Sequence, residues 1–97
     1  MLSGKERSKL LSIAAPQEAI FQIGKGGVGE QMLSELADAL KARELIKITV
    51  LPNSGIAAKE LIRQLATALN AEPVRAIGRK IILYKRPDDP SKAKIKL

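Results

Sequence analysis

The residues best suited to chemistry lie in one glycine-rich segment, Gly24-Lys25-Gly26-Gly27-Val28-Gly29, called here the glycine loop. An apolar run of strand length precedes the loop, and an amphipathic helical pattern follows it. Glycines let the main chain approach phosphate oxygens closely, and the first N–H groups of a helix attract anions. Lys25 adds a mobile cation. The loop is therefore a candidate phosphate-binding element, although a plain strand-to-helix turn also commonly contains one or two glycines.

Three phosphate-binding patterns can be compared with the glycine loop. The G-x-G-x-x-G spacing of dinucleotide-binding folds is present, but no carboxylate lies in residues 50–53, where the second predicted strand ends. A nucleotide-hydrolase loop would require a lysine and a hydroxyl where Glu30 and Gln31 stand. The remaining pattern, G-x-x-G with a basic residue inside, is the backbone clamp of KH-type RNA-binding domains. The predicted clamp consists of Gly24, Lys25, Gly26 and Gly27.

The composition favours a polyanionic partner and argues against catalysis. Seventeen Lys and Arg against ten Asp and Glu give a net charge of +7, which attracts nucleic acid. The absence of Cys and His excludes disulfides, thiolate or imidazole metal sites and the usual nucleophile–base pairs. We therefore expect a non-catalytic protein with no cofactor, no metal and no small-molecule substrate. The two aromatic residues, Phe21 and Tyr84, are too few for a base-stacking platform.

The excess positive charge lies at the two ends of the chain and supplies further candidate contacts. Lys5 and Lys9 belong to the first predicted helix, and Arg79 and Lys80 form the tip of a predicted hairpin. We predict that these four bind RNA, with a solvated helix face and a polar turn as the alternatives. The lysines of residues 88–97 would add sequence-independent attraction. Lys47 is expected to serve solubility or to pair with Glu44.

The hydrophobic periodicity predicts seven elements in the order α-β-α-β-α-β-β. The helices cover residues 3–14, 29–42 and 57–69, and the strands cover residues 19–23, 45–51, 73–77 and 81–85. Ser3 is a plausible cap for the first helix and Asn70 a plausible stop for the third. Such an order predicts an α/β fold with a mixed four-stranded sheet and helices mainly on one face, a two-layer sandwich. Residues 1–87 would form one domain and residues 88–97 a loose basic tail, with a strand-like contact at Ile95.

Three segments resemble the CRM domain, the RNA-binding module of chloroplast splicing factors and of bacterial YhbY-like proteins. They are residues 22–28 (QIGKGGV), 42–48 (ARELIKI) and 76–85 (AIGRKIILYK), and the similarity extends from about residue 10 to residue 84. The resemblance implies a core similar to the C-terminal domain of bacterial initiation factor three. It also implies RNA binding through the glycine loop. A single copy resembles the bacterial form, which associates with precursors of the large ribosomal subunit.

Two departures from the family pattern concern the surroundings of the clamp. Gly29 stands where the family usually has Thr or Ser, so a side-chain helix cap is lost. Glu18-Ala19 stands where a Lys-Pro pair is common.

The composition and the family resemblance together predict a cytoplasmic, monomeric, membrane-independent protein that binds precursor ribosomal RNA. Two alternatives stay open: an RNA-binding module acting in intron splicing, and a module whose basic face docks an acidic protein.

Overall fold

The computed structural model of the protein describes residues 2–97 and confirms the predicted order of elements. The helices are α1 (Gly4–Ala14), α2 (Glu30–Arg43) and α3 (Ala58–Leu69). The strands are β1 (Phe21–Ile23), β2 (Leu45–Val50), β3 (Glu72–Ile77) and β4 (Lys80–Tyr84). Short 3-10 turns follow β2, at Pro52–Ser54, and lie near the C-terminus, at Pro90–Lys92.

The four strands form one mixed sheet in the order β1-β2-β4-β3. β1 pairs with β2 in parallel, and β4 pairs antiparallel with both β2 and β3. The ends of β1, β2 and β3 and the start of β4 therefore meet at one end of the sheet, which we call the loop end. Ile23 pairs with Val50 there, and Lys80 pairs with Thr49 and Ile77. The loops that leave this end of the sheet therefore start from neighbouring strands and lie close together in space.

The central strands are buried on both faces. On one face, Ile48 and Ile81 pack with the apolar stripes of α2 and α3, which is the predicted two-layer arrangement. On the other face, Ile82 and Tyr84 pack with α1 through Leu10, so α1 adds a partial third layer. Leu10 is completely buried, and burial of a Leu side chain stabilises a fold by about 1.5–3 kcal/mol.

Local capping explains where α1 and α3 begin or end. Ser3 forms a capping box with Glu6, in which each side chain accepts a hydrogen bond from the other residue's backbone N–H. Asn70 ends α3 in the left-handed conformation, with φ 52° and ψ 45°, which Asn tolerates better than most residues. Both residues act as the sequence predicts.

The structure corrects the expectation for Lys47, which was predicted to serve solubility or to pair with Glu44. Lys47 instead has a structural role. Its side chain is half-buried, and its Nζ donates to the carbonyls of Ala15 at 3.2 Å and Gln17 at 3.1 Å. The ammonium group thus satisfies carbonyls at the C-terminal end of α1, where a cation is favourable. Lys47 anchors α1 to the sheet.

Glu44 joins the end of α2 to the C-terminal segment. Its backbone takes a positive φ of 67°, a conformation that costs a non-glycine residue of order 1–3 kcal/mol. Its side chain is 2 % exposed, and its carboxylate accepts hydrogen bonds from the backbone N–H groups of Lys94 at 2.6 Å and Ile95 at 3.2 Å. Ile95 also packs against the apolar cluster that α1 forms with the sheet around Leu10 and Tyr84. The carboxylate therefore holds part of the basic segment 88–97 against the domain.

Replacing Glu44 tests this attachment. Glu44→Gln turns one acceptor oxygen into an NH₂ group that faces a backbone N–H. A hydrogen bond to a charged group contributes about 1.5–3 kcal/mol, so amide exchange at Lys94 and Ile95 should accelerate by about tenfold or more. The measurement is hydrogen exchange by NMR, with the exposed Glu35→Gln on the same helix as the charge-matched control. Unchanged protection of both amides in Glu44→Gln would contradict the assignment.

Candidate nucleic-acid interface

The glycine loop is a tight turn that projects its cation from the loop end of the sheet. The backbone N–H of Gly27 donates to the carbonyl of Gly24 at 2.9 Å, so Lys25 and Gly26 occupy the tip of a four-residue turn. Both tip residues are exposed. Gly27 has a φ of 66°, a left-handed conformation that a residue with a Cβ adopts at a cost. The turn therefore depends on a glycine at position 27.

Gly24 and Gly26 have different surroundings, which separates their roles. A Cβ at Gly24 would lie 3.6 Å from Leu51 Cδ1 and 3.6 Å from Asn53 Oδ1, an ordinary contact. At Gly26, no heavy atom of the described residues other than Gly26 and its two chain neighbours lies within 4 Å of such a Cβ. The space over Gly26 is open to a ligand, and a side chain placed there would occupy that space without disturbing the fold.

Helix α2 begins directly after this turn. Gly29 is the N-cap of α2, and its lack of a side chain leaves the first-turn N–H groups available to an outside acceptor. The partial positive charge at this end favours an anion. Glu30 lies in the first turn and offsets part of that charge. Lys25, at the exposed tip of the turn, supplies a charge of the opposite sign to that of Glu30.

Backbone hydrogen bonds connect the glycine loop with two neighbouring loops. The N–H of Leu51 donates to the carbonyl of Ile23 at 2.8 Å, and the N–H of Val50 donates to the carbonyl of Arg79 at 2.7 Å. The first bond fixes the segment after β2 beside the glycine loop. The second fixes the tip of the β3–β4 hairpin beside the end of β2. The structure thus brings the predicted clamp together with Arg79 and Lys80.

The cationic side chains of the loop end differ in their hydrogen-bond partners within the protein. Lys80 donates from Nζ to Thr49 Oγ1 at 2.7 Å, whereas the Arg79 side chain is exposed at the hairpin tip. Lys59, which the sequence analysis did not select, is exposed in the first turn of α3. The turn at residues 52–55 is the signal that could have identified it, because a helix that begins after that turn must begin at the loop end. The cations Lys25, Lys59, Arg79 and Lys80 outnumber Glu30 and Glu60, the carboxylates in the first turns of α2 and α3, so this surface is net positive.

Lys5 and Lys9 lie on a different surface, on the α1 side of the sheet. Lys9 Nζ donates to the backbone carbonyl of Lys96. Glu6 pairs with Arg86 at 3.1 Å, just beyond the end of β4 that is farthest from Lys80. The hydrogen bond from the Ser3 backbone, followed by that from Arg86, lowers the pKa of the Glu6 carboxyl. The structure therefore does not join the α1 lysines to the glycine loop.

Two searches bear on other kinds of site. Within residues 2–97, no group of three or more His, Cys, Asp or Glu side chains is placed to hold a metal ion. In the same part of the chain, no helix has the length and apolar character required to cross a membrane.

Comparison with known proteins finds relatives along almost the whole chain. The profile of the CRS1 / YhbY (CRM) domain family matches residues 2–85. The Bacillus subtilis protein named "Probable RNA-binding protein YqeI" is 42% identical over 85 residues, which cover 88% of each chain. A Haemophilus influenzae protein named "RNA-binding protein" is 29% identical over 94 residues, covering 97% of this chain and 94% of that protein.

A solved structure shows the same fold. The solution structure of the hypothetical protein SAV1595 from Staphylococcus aureus matches with a TM-score of 0.78 and 38% sequence identity. The match covers 100% of this chain and 99% of that one. The family profile, the two relatives and the solved structure agree with the resemblance drawn from residues 22–28, 42–48 and 76–85. The protein belongs to the CRS1 / YhbY (CRM) domain family.

Proposed function

We propose that the protein is an RNA-binding protein that grips the RNA backbone at the loop end of its sheet. The observation that carries the proposal is the position of the open turn at Gly26, the start of α2 and the exposed Lys25 and Arg79 at the same end of the sheet. N–H donors and mobile cations suit phosphate oxygens. The names of the Bacillus subtilis and Haemophilus influenzae relatives, which describe RNA-binding proteins and not enzymes, support the same conclusion.

The proposed mode of binding is passive and largely independent of sequence. Backbone contacts position a protein on a nucleic acid without reading its bases, and the net charge of +7 adds long-range attraction. Of the other predicted contacts, Arg79 and Lys80 flank the clamp. Lys5 and Lys9 would contact a separate part of a large RNA.

We further propose precursor ribosomal RNA of the large subunit as the target, bound by a cytoplasmic monomer during subunit assembly. The support is the resemblance of a single free-standing domain to the bacterial YhbY-like form. Docking to an acidic protein and a role in intron splicing are the competing outcomes of the tests below.

Substitution of Gly26 separates backbone gripping from folding. Gly26→Asp places a carboxylate over the turn, where the space is open and the backbone lies outside the left-handed region. Affinity for RNA should fall by about tenfold or more, since one bound phosphate is repelled and a neighbouring contact is lost. Fluorescence anisotropy with a labelled RNA at several salt concentrations measures the change, and circular dichroism checks the fold.

Gln64→Glu is the matched control for this substitution. Gln64 is exposed in the middle of α3, and Glu has nearly the same size and helix propensity as Gln. It carries the same change of charge away from the loop end, so its affinity should stay within about twofold to threefold of the parent. Equal losses in the two variants would show that net charge, and not the glycine loop, determines binding.

Sedimentation of tagged protein from a cell lysate tests the ribosomal proposal. The parent protein should migrate with precursors of the large subunit in a sucrose gradient, and nuclease should release it. Gly26→Asp should shift toward the top of the gradient without nuclease, while Gln64→Glu should not. Migration of the parent at the top, unchanged by nuclease, would contradict the proposal and indicate a protein partner.

A further inference from the structure

A cleft of about 520 Å³ opens at the loop end, beside the glycine loop. Pockets that bind small ligands commonly measure about 300–1,000 Å³. Its walls come from the segment after β2, from the start of α3 and from the β3–β4 hairpin. The lining includes Leu51, Ile56, Ala57, Lys59, Ala76 and Arg79.

The cleft combines apolar walls with charge of one sign. In the described part of the chain, its lining includes two cations, Lys59 and Arg79, and no carboxylate. A second groove, between α2 and residues 85–94, has carboxylates such as Glu44 and Asp88 among its lining lysines. Those charges compensate one another within the protein. The two cations of the loop-end cleft have no carboxylate beside them in the lining, so the cleft favours an anionic ligand.

The cleft and the glycine loop share Leu51 as a neighbour. Leu51 lines the cleft, and its Cδ1 lies 3.6 Å from a Cβ built at Gly24. A polymer held at the glycine loop would therefore have only this residue to cross to reach the cleft. A group carried by the adjacent unit of that polymer would face an apolar space with a guanidinium on its rim.

We propose that this cleft takes one unpaired base of the RNA whose backbone is held at the glycine loop. The inference rests on the proposed function and adds a preference for RNA with an unstacked nucleotide. A base inserted here would lie against the aliphatic walls of Leu51 and Ile56, with the Arg79 guanidinium available to stack on it. This arrangement needs no aromatic platform, in keeping with the scarcity of aromatic residues in the chain. Lys59 would hold a flanking phosphate.

Ala57 provides a substitution that blocks the cleft without weakening the fold. It is exposed and is the N-cap of α3, where Asp and Ser are both preferred to Ala. Ala57→Asp should therefore raise the melting temperature while placing a carboxylate on the cleft wall. Ala57→Ser supplies a neutral cap of similar size and is the matched control.

The test uses an RNA hairpin whose stem contains one unpaired nucleotide, in four versions with A, C, G or U at that position. A fifth version has an abasic unit there. All five have the same phosphates, so the ratio of affinities between a base and the abasic unit isolates the contribution of the base. For the parent and Ala57→Ser, at least one base should bind about tenfold more tightly than the abasic unit, since burial of about 55 Å² of apolar surface suffices for such a change. In Ala57→Asp the ratio should approach one.

Failure of this inference can be told apart from failure of the proposed function. If all five RNAs bind the parent equally and Gly26→Asp weakens them all, the cleft proposal is overturned and backbone gripping stands. If Gly26→Asp binds every RNA as tightly as the parent does, or if the parent binds none, both are overturned. A base preference that survives in a folded Ala57→Asp would show that the base lies elsewhere.

Discussion

The position of β4 between β2 and β3 is the constraint on which the functional surface depends. Because β4 runs antiparallel to both neighbours, its first residue lies beside the last residues of β2 and β3. The parallel pairing of β1 with β2 brings the glycine loop to the same end. Hydrogen bonds from Val50 to Arg79 and from Leu51 to Ile23 then fix three loops side by side. The central position of β4 is therefore what brings the hairpin tip to the same end of the sheet as the glycine loop.

At the glycine loop, four glycines in six residues leave the backbone with few side chains over it, and the space around Gly26 is open. Lys25, Lys59 and Arg79 surround that backbone with mobile cations. The cleft beside the loop adds an apolar space that phosphate contacts alone would not require. Backbone gripping and a single base pocket would together favour structured RNA with a bulge or junction over a uniform duplex.

The sequence predicted the elements well because their signals are local. Helical periodicity, the Ser3 cap, the Asn70 stop and the glycine loop all depend on residues within a few positions of one another. The placement of α1 on the opposite face depends on contacts across the sheet, which periodicity does not encode. Glu44 and Lys47 were missed for the same reason, since their partners Lys94 and Ala15 are distant in sequence. Lys59 is recognised as a candidate contact only from the fold, which places the start of α3 at the loop end.

NMR titration of the isotopically labelled protein with a structured RNA tests the central claim most directly. Amide shifts and broadening would report the bound surface residue by residue, on the intact 97-residue chain. The account predicts that changes concentrate in residues 24–30, 50–59 and 78–80, which form the loop end. Changes confined to α1 and residues 92–97, with the loop end unaffected, would contradict it and assign RNA binding to the basic ends of the chain.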